Sequence, residues 1–104
     1  MIVVNARCHV LPDRVDGFID EVRRIIPLVR GEDGCIRYEL VSDVYHPGVF
    51  LFIEEWESRD HLDRHLACPH MIDYFAKCAT WFSAPTDLTI YQVHSSETVN
   101  RQVR

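Results

Sequence analysis

Glu54, Glu55, Trp56 and Glu57 close an apolar run, and Leu62, His65, Leu66, Pro69, His70 and Met71 follow shortly after Ser58. Carboxylates and imidazoles gathered at one strand-helix junction are the side chains that accept and return protons near neutral pH. On an extended segment Glu54 and Trp56 share one face while Glu55 and Glu57 share the other. Whichever acid points inward must be paired or protonated. It serves either as a proton acceptor or as a structural acceptor for a helix terminus or an arginine such as Arg37. His65 lies on one helical stripe with Leu62 and Leu66, so it is expected to be partly buried and within reach of the strand carrying Glu54 and Trp56. There it is either a base beside a carboxylate or a core histidine bonded to backbone. His70, just after Pro69, stands at a helix start, where its ring faces a pocket mouth or merely caps the surface. Tyr38 alternates with Ile36 and Leu40, which brings a hydroxyl into an apolar wall and suits a phenol-like ligand.

A metal reading competes for the same residues. His61 and His65 are four apart on a helix, with Cys68 and His70 just beyond, and histidines on adjacent turns can share zinc. Yet His61 falls off the Leu62 to Leu66 stripe, and no second Cys or His pair elsewhere completes four ligands, so no metal and no cofactor are expected. Phosphate loops, nucleophile elbows and dinucleotide fingerprints are absent from the sequence.

The elements that must hold these groups read as β-α-β-β-α-α-β. Ile2 to Val10 alternates, with Ile2, Val4, Ala6, Cys8 and Val10 on one face and Asn5 and Arg7 on the other. Asn5 and Arg7 either line a cavity between two sheets or make dimer contacts. After Pro12, Asp13 can cap a helix whose stripe runs from Val15 through Phe18, Val22 and Ile25 to Val29, kinked near Pro27. Gly31 to Gly34 breaks it, and Cys35 to Val41 is a second strand. The third, Val49 to Glu57, is apolar on both faces and therefore central. Ser58 caps the next helix, Pro69 opens another carrying Met71, Ile72, Phe75 and Cys78, and Thr86 to His94 is a fourth strand. Split β-α-β halves of this kind predict an α+β, ferredoxin-like antiparallel sheet with helices on one face. A second copy of the sheet is the simplest cover for the other face, which predicts a homodimer. Residues 1–94 form the domain, and 95–104 a polar tail.

Composition narrows the class. A net charge of -5, with 47% hydrophobic and 26% charged residues, fits an ordinary globular protein and disfavours nucleic acid or an anionic membrane as partner. Four cysteines without a Cys-x-x-Cys pair, and no export signal or long apolar run, point to reduced thiols in the cytoplasm.

The block from Glu54 to Met71, within a pattern running from Ile2 to Val93, resembles the signature of the antibiotic biosynthesis monooxygenase family, and most closely its bacterial quinol monooxygenases. The resemblance implies a dimeric α/β barrel that oxygenates a small aromatic or quinol substrate with O2 and without metal or flavin. In such an enzyme His65, assisted by Glu54, would be the base and Tyr38 or His70 the donor to a second substrate oxygen. Phe52, Trp56, Phe75 and Trp81 would be walls, with Asn5 and Arg37 as further substrate contacts. Haem-degrading relatives ligate iron through a histidine on the following helix, and Ile72 to Thr80 contains none. Two alternatives share the fold: an isomerase of a small phosphorylated signalling molecule, for which Arg7 and Arg37 are the in-strand cations, and a non-catalytic dimeric ligand-binding or stress protein.

Overall fold

A computed structural model describes residues 1–102. Val103 and Arg104, the end of the expected tail, lie outside the described residues. Strands β1 (Ile2–His9), β2 (Cys35–Ser42), β3 (Val49–Trp56) and β4 (Asp87–Gln92) and helices α1 (Val15–Arg30), α2 (Arg59–Ala67) and α3 (Pro69–Cys78) follow the expected order. The sheet is antiparallel, with strand order β2-β3-β1-β4. The doubly apolar β3 is thus an interior strand, as its composition requires.

Strand alternation decides what faces the helices. Val4, Ala6 and Cys8 of β1 and Phe50, Phe52, Glu54 and Trp56 of β3 are buried beneath them. Phe18, Val22, Ile25 and Val29 of α1 close the core from above, their three- and four-residue spacing forming one buried stripe. On the opposite face Val49, Leu51 and Ile53 are only half-buried, and Val41 and Tyr91 are exposed.

Two local expectations change. Residues Pro12–Arg14 form a short 3-10 turn, so α1 starts at Val15 without a side-chain cap, and Asp13 caps nothing. The helix runs through Pro27 to Arg30, as the stripe to Val29 requires. Ile36 does not share a face with Tyr38. A bulge between Cys35 and Arg37 inserts one extra residue opposite the Trp56–Glu55 step, so Cys35 faces Trp56 and Ile36 is left exposed, while Tyr38 stands opposite Glu54 in the regular register beyond it. Ser58 does cap α2, its hydroxyl accepting from the His61 amide at 3.3 Å. Residues 95–102 are exposed and without regular structure.

Candidate active site

Between the sheet and helices α2 and α3 lies a cavity of about 100 Å³. Tyr38, Phe52 and Glu54 supply its sheet wall, and His65, Tyr74 and Phe75 face them from the helices. Register is what gathers them. Tyr38, Glu54 and Val4 are neighbours across three adjacent strands, so tyrosine and carboxylate project to the same buried side. His65 drops onto that wall because Leu62 and His65, three apart on α2, are its buried positions.

Glu54 is 5% exposed. One carboxylate oxygen accepts from the Trp56 indole N–H at 3.0 Å and lies 3.8 Å from His65 Nε2. Burial pushes its carboxyl up to about 7, the Trp56 bond opposes that rise, and the charge of Glu32 adds to it. A second buried glutamate supplies the contrast. Glu21 on α1 is bound by Arg24 and by Lys77, which hold its carboxyl below the ordinary value against the effect of burial. Among the described residues no lysine or arginine pairs with Glu54, so its proton is held loosely near neutral pH.

His65 is 1% exposed. Burial lowers its pKa despite the opposing bond to Glu32, so the imidazole stays neutral. Its Nδ1 lies 2.9 Å from Glu32 Oε2, and donation to that acceptor leaves the Nε2 lone pair on the Glu54 side. Trp56 is fully buried and stacks on the His65 ring at 4.5 Å between centroids, tilted by 32°. The indole therefore positions both Glu54 and His65 from behind and is no part of the cavity wall. Tyr38 packs edge-on to His65 at 5.5 Å. Burial raises the pKa of both Tyr38 and Tyr74, so each keeps its proton and remains a donor.

His70 sits at the edge of this group. Its Nε2 lies 2.8 Å from the same Glu32 oxygen and 3.3 Å from Cys68 Sγ. Glu32 thus joins a buried ring to a 22% exposed one. No sequence pattern marks Glu32, which lies in the turn after α1, 33 residues from His65. Tyr74 was also missed, although Met71, Tyr74 and Cys78 form a buried helical stripe at three- and four-residue spacing.

Three expected contacts lie elsewhere. Trp81 packs toward Gly17, with the Arg14 guanidinium over its ring, while the next residue, Phe82, lines the cavity. Asn5 is on the open face of β1, because it alternates with the buried Val4 and Ala6. Arg37 is also on the open side, bound to Glu39 and Glu55. His61 points away as well, toward Ser58 and Asp33.

Residues 1–77 match the family model described as Antibiotic biosynthesis monooxygenase. The Bacillus subtilis protein named "Putative monooxygenase YcnE" is 28% identical over 88 residues, 85% of this chain and 93% of that protein. The Escherichia coli K12 "Probable quinol monooxygenase YgiN" is 36% identical over 64 residues, 54% of this chain and 62% of that one. Among solved structures, Rv0793 from Mycobacterium tuberculosis superposes with a TM-score of 0.86 at 27% identity, over 93% of this chain and 98% of its own. A Deinococcus radiodurans protein shares the fold at a TM-score of 0.88 and 21% identity, over 96% and 99% of the two chains. With a family model matching most of its length and the ferredoxin-like fold of its neighbours, the chain belongs to the antibiotic biosynthesis monooxygenase family.

Proposed function

We propose that the protein is a monooxygenase that acts on a small aromatic diol or quinol with O2, needs no metal or flavin for the chemistry, and works as a cytoplasmic homodimer. One observation carries this reading: two buried proton acceptors, Glu54 and His65 Nε2, meet in an apolar cavity that also holds two tyrosine phenols. Ground-state O2 is a triplet and reacts slowly with closed-shell molecules, so the substrate must first become electron-rich. Removal of a phenolic proton by Glu54 or His65 does that. The phenolate then gives one electron to O2, and recombination forms a carbon-hydroperoxide bond. Loss of water leaves one oxygen atom on carbon as a carbonyl and releases the other as water. Tyr38 and Tyr74 would hold the second substrate oxygen, and Phe52 and Phe75 would keep bulk water from the radical and peroxide stages.

The names of YcnE and YgiN support a monooxygenase, and that of YgiN a quinol. Half-buried Val49, Leu51 and Ile53 on the open sheet face support a second copy as its cover. Free thiols at Cys8, Cys35, Cys68 and Cys78 suit a reducing compartment, and among the described residues no helix is long and apolar enough to cross a membrane. An isomerase of a phosphorylated compound draws less support, since Arg7 and Arg37 lie on the open face in ion pairs with acids and neither lines the cavity.

The test is oxygen uptake by chelator-treated protein against a panel of quinols, with product mass read after labelling with heavy O2. Label in the product and its loss in His65→Ala are expected. Quinol binding with no oxygen consumed by any member of the panel would make the protein a ligand-binding module.

A further inference from the structure

Glu32, His65, Cys68 and His70 converge outside the cavity, on the side of His65 away from Glu54. We propose that these four side chains form a binding site for a thiophilic divalent cation, zinc above all, whose occupancy immobilises His65.

Three of the donors come from one short segment. His65 lies in the last turn of α2, Cys68 is the hinge residue between helices, and His70 lies in the first turn of α3. The hinge makes the convergence possible: Cys68 is extended, with φ of -75° and ψ of 156°, and its amide bonds back to the His65 carbonyl at 3.2 Å. The fourth donor, Glu32, descends from the α1–β2 turn. Its Oε2 is 2.9 Å from His65 Nδ1 and 2.8 Å from His70 Nε2, and Cys68 Sγ is 3.3 Å from His70 Nε2. The donor atoms of Glu32, His65 and Cys68 all lie within 4.8 Å of one another, and His70, outside that group of three, is tied to it through Glu32 and Cys68 and joins as fourth ligand by a swing of its ring toward His65. Tetrahedral zinc with metal-ligand bonds of about 2.0 to 2.3 Å separates its donors by about 3.3 to 3.7 Å. The hydrogen-bonded contacts open by less than about 1 Å to admit the ion, and the two imidazoles that share Glu32 Oε2 draw together as that oxygen turns to the metal.

Chemistry favours the same conclusion. Two imidazoles, a thiolate and a carboxylate are a borderline-soft set that selects zinc over magnesium or calcium. The two anionic ligands neutralise the dication, so a partly buried site gains no net charge. Binding releases the Cys68 thiol proton and moves the His65 ring proton from Nδ1 to Nε2. That proton then faces Glu54 across 3.8 Å, which gives the metal-bound ring the carboxylate partner usual for such histidines. Glu32 and His70 are 15% and 22% exposed, so the ion has a path from solvent.

The same geometry removes the earlier objection to zinc. His61 belongs to a separate cluster and is not needed as a ligand, because Glu32 joins His65 and Cys68 and His70 stands beside them as the fourth donor. Binding does not depend on the proposed oxygenase activity. Inhibition does, because an immobilised His65 has no free Nε2 lone pair with which to take a substrate proton.

The experiment titrates chelator-stripped, full-length protein with zinc against a chromophoric chelator at neutral pH. One zinc per chain with a Kd of about 1 μM or tighter is expected. Cys68→Ser and His70→Ala should each weaken it by about 100-fold, as expected for lost ligands. His61→Ala, which alters the separate Asp33–Glu57–His61 cluster, should leave it unchanged. Cobalt should give a thiolate charge-transfer band that Cys68→Ser abolishes. Should that variant fail to fold, alkylation of the wild-type protein decides: zinc must protect Cys68, read by peptide mass, while leaving Cys35 reactive. No binding, no protection, or binding lost with His61→Ala but kept with Cys68→Ser would overturn the site. Zinc held by these four ligands with undiminished quinol oxidation would instead overturn the role of His65 as base.

Discussion

E54Q separates chemistry from stability. In the folded chain Glu54 ionises only at about 7, against an ordinary 4.5 for glutamate, because it is buried without a cation. The unfolded chain ionises earlier, so between these two values it binds fewer protons than the folded one. Stability therefore falls as pH rises through that window, and the penalty is fully present above pH of about 7. At roughly 1.4 kcal/mol per pH unit the difference amounts to about 3 kcal/mol. The substitution keeps the shape and the oxygen that accepts from Trp56 Nε1, and it removes the ionisation. E54Q should match wild type near pH 4 and exceed its stability by about 3 kcal/mol near pH 9. That corresponds to a urea midpoint higher by roughly 1 to 3 M. The assay is equilibrium urea unfolding across pH in the presence of a chelator, paired with oxygen uptake on the same preparations. Turnover should fall by about 100-fold or more if Glu54 accepts the proton. A stability gain that is absent, or the same at every pH, would refute the electrostatic reasoning, and full activity would remove Glu54 from the chemistry.

Other outcomes follow from the same geometry. His65→Ala should lower quinol turnover by about 100-fold while costing about 1 to 3 kcal/mol of stability, both read on one preparation. Full activity with lowered stability would return His65 to a purely structural role. Gly34→Ala should destabilise by about 2 kcal/mol or more, since Gly34 has φ of +82° and a Cβ there would come within 2.2 Å of the His61 ring. A calorimetric melting temperature close to that of wild type would contradict this. Sedimentation at micromolar concentration should return twice the chain mass, and a well-folded monomer would leave the open face of β3 without its expected cover.

Periodicity made much of this legible before any coordinates. Alternation placed Glu54 and Trp56 on one face of β3, and the Leu62–His65–Leu66 stripe turned His65 toward them, because period-2 and period-3.6 patterns are local properties of the chain. Alternation misled at Ile36, where a bulge breaks the period without any glycine to announce it. Trp81 was chosen over Phe82 for a related reason. After α3 the chain turns irregularly, and Leu11 N–H to Trp81 O and the Val10–Phe82 bridge decide which ring points inward. Glu32 was beyond reach because a turn carboxylate shows no periodicity, and only the packing of the α1–β2 turn on α2 brings it to His65.

The hairpin register and the buried acid together build the cavity wall. The regular register from Ser42–Phe50 to Arg37–Glu55 sets Tyr38 opposite Glu54, and the bulge beyond it brings Cys35 rather than Ile36 opposite Trp56. Glu21 shows that this fold can neutralise a buried glutamate with Arg24 and Lys77, and Glu54, on an interior strand, receives only an indole N–H. A sequence shaped by stability alone would place an apolar residue at position 54 or a cation beside it. Charge therefore departs from its most stable arrangement at Glu54, one residue from the step where the register shifts. Such a departure is expected where a side chain must hold a proton rather than merely fill space.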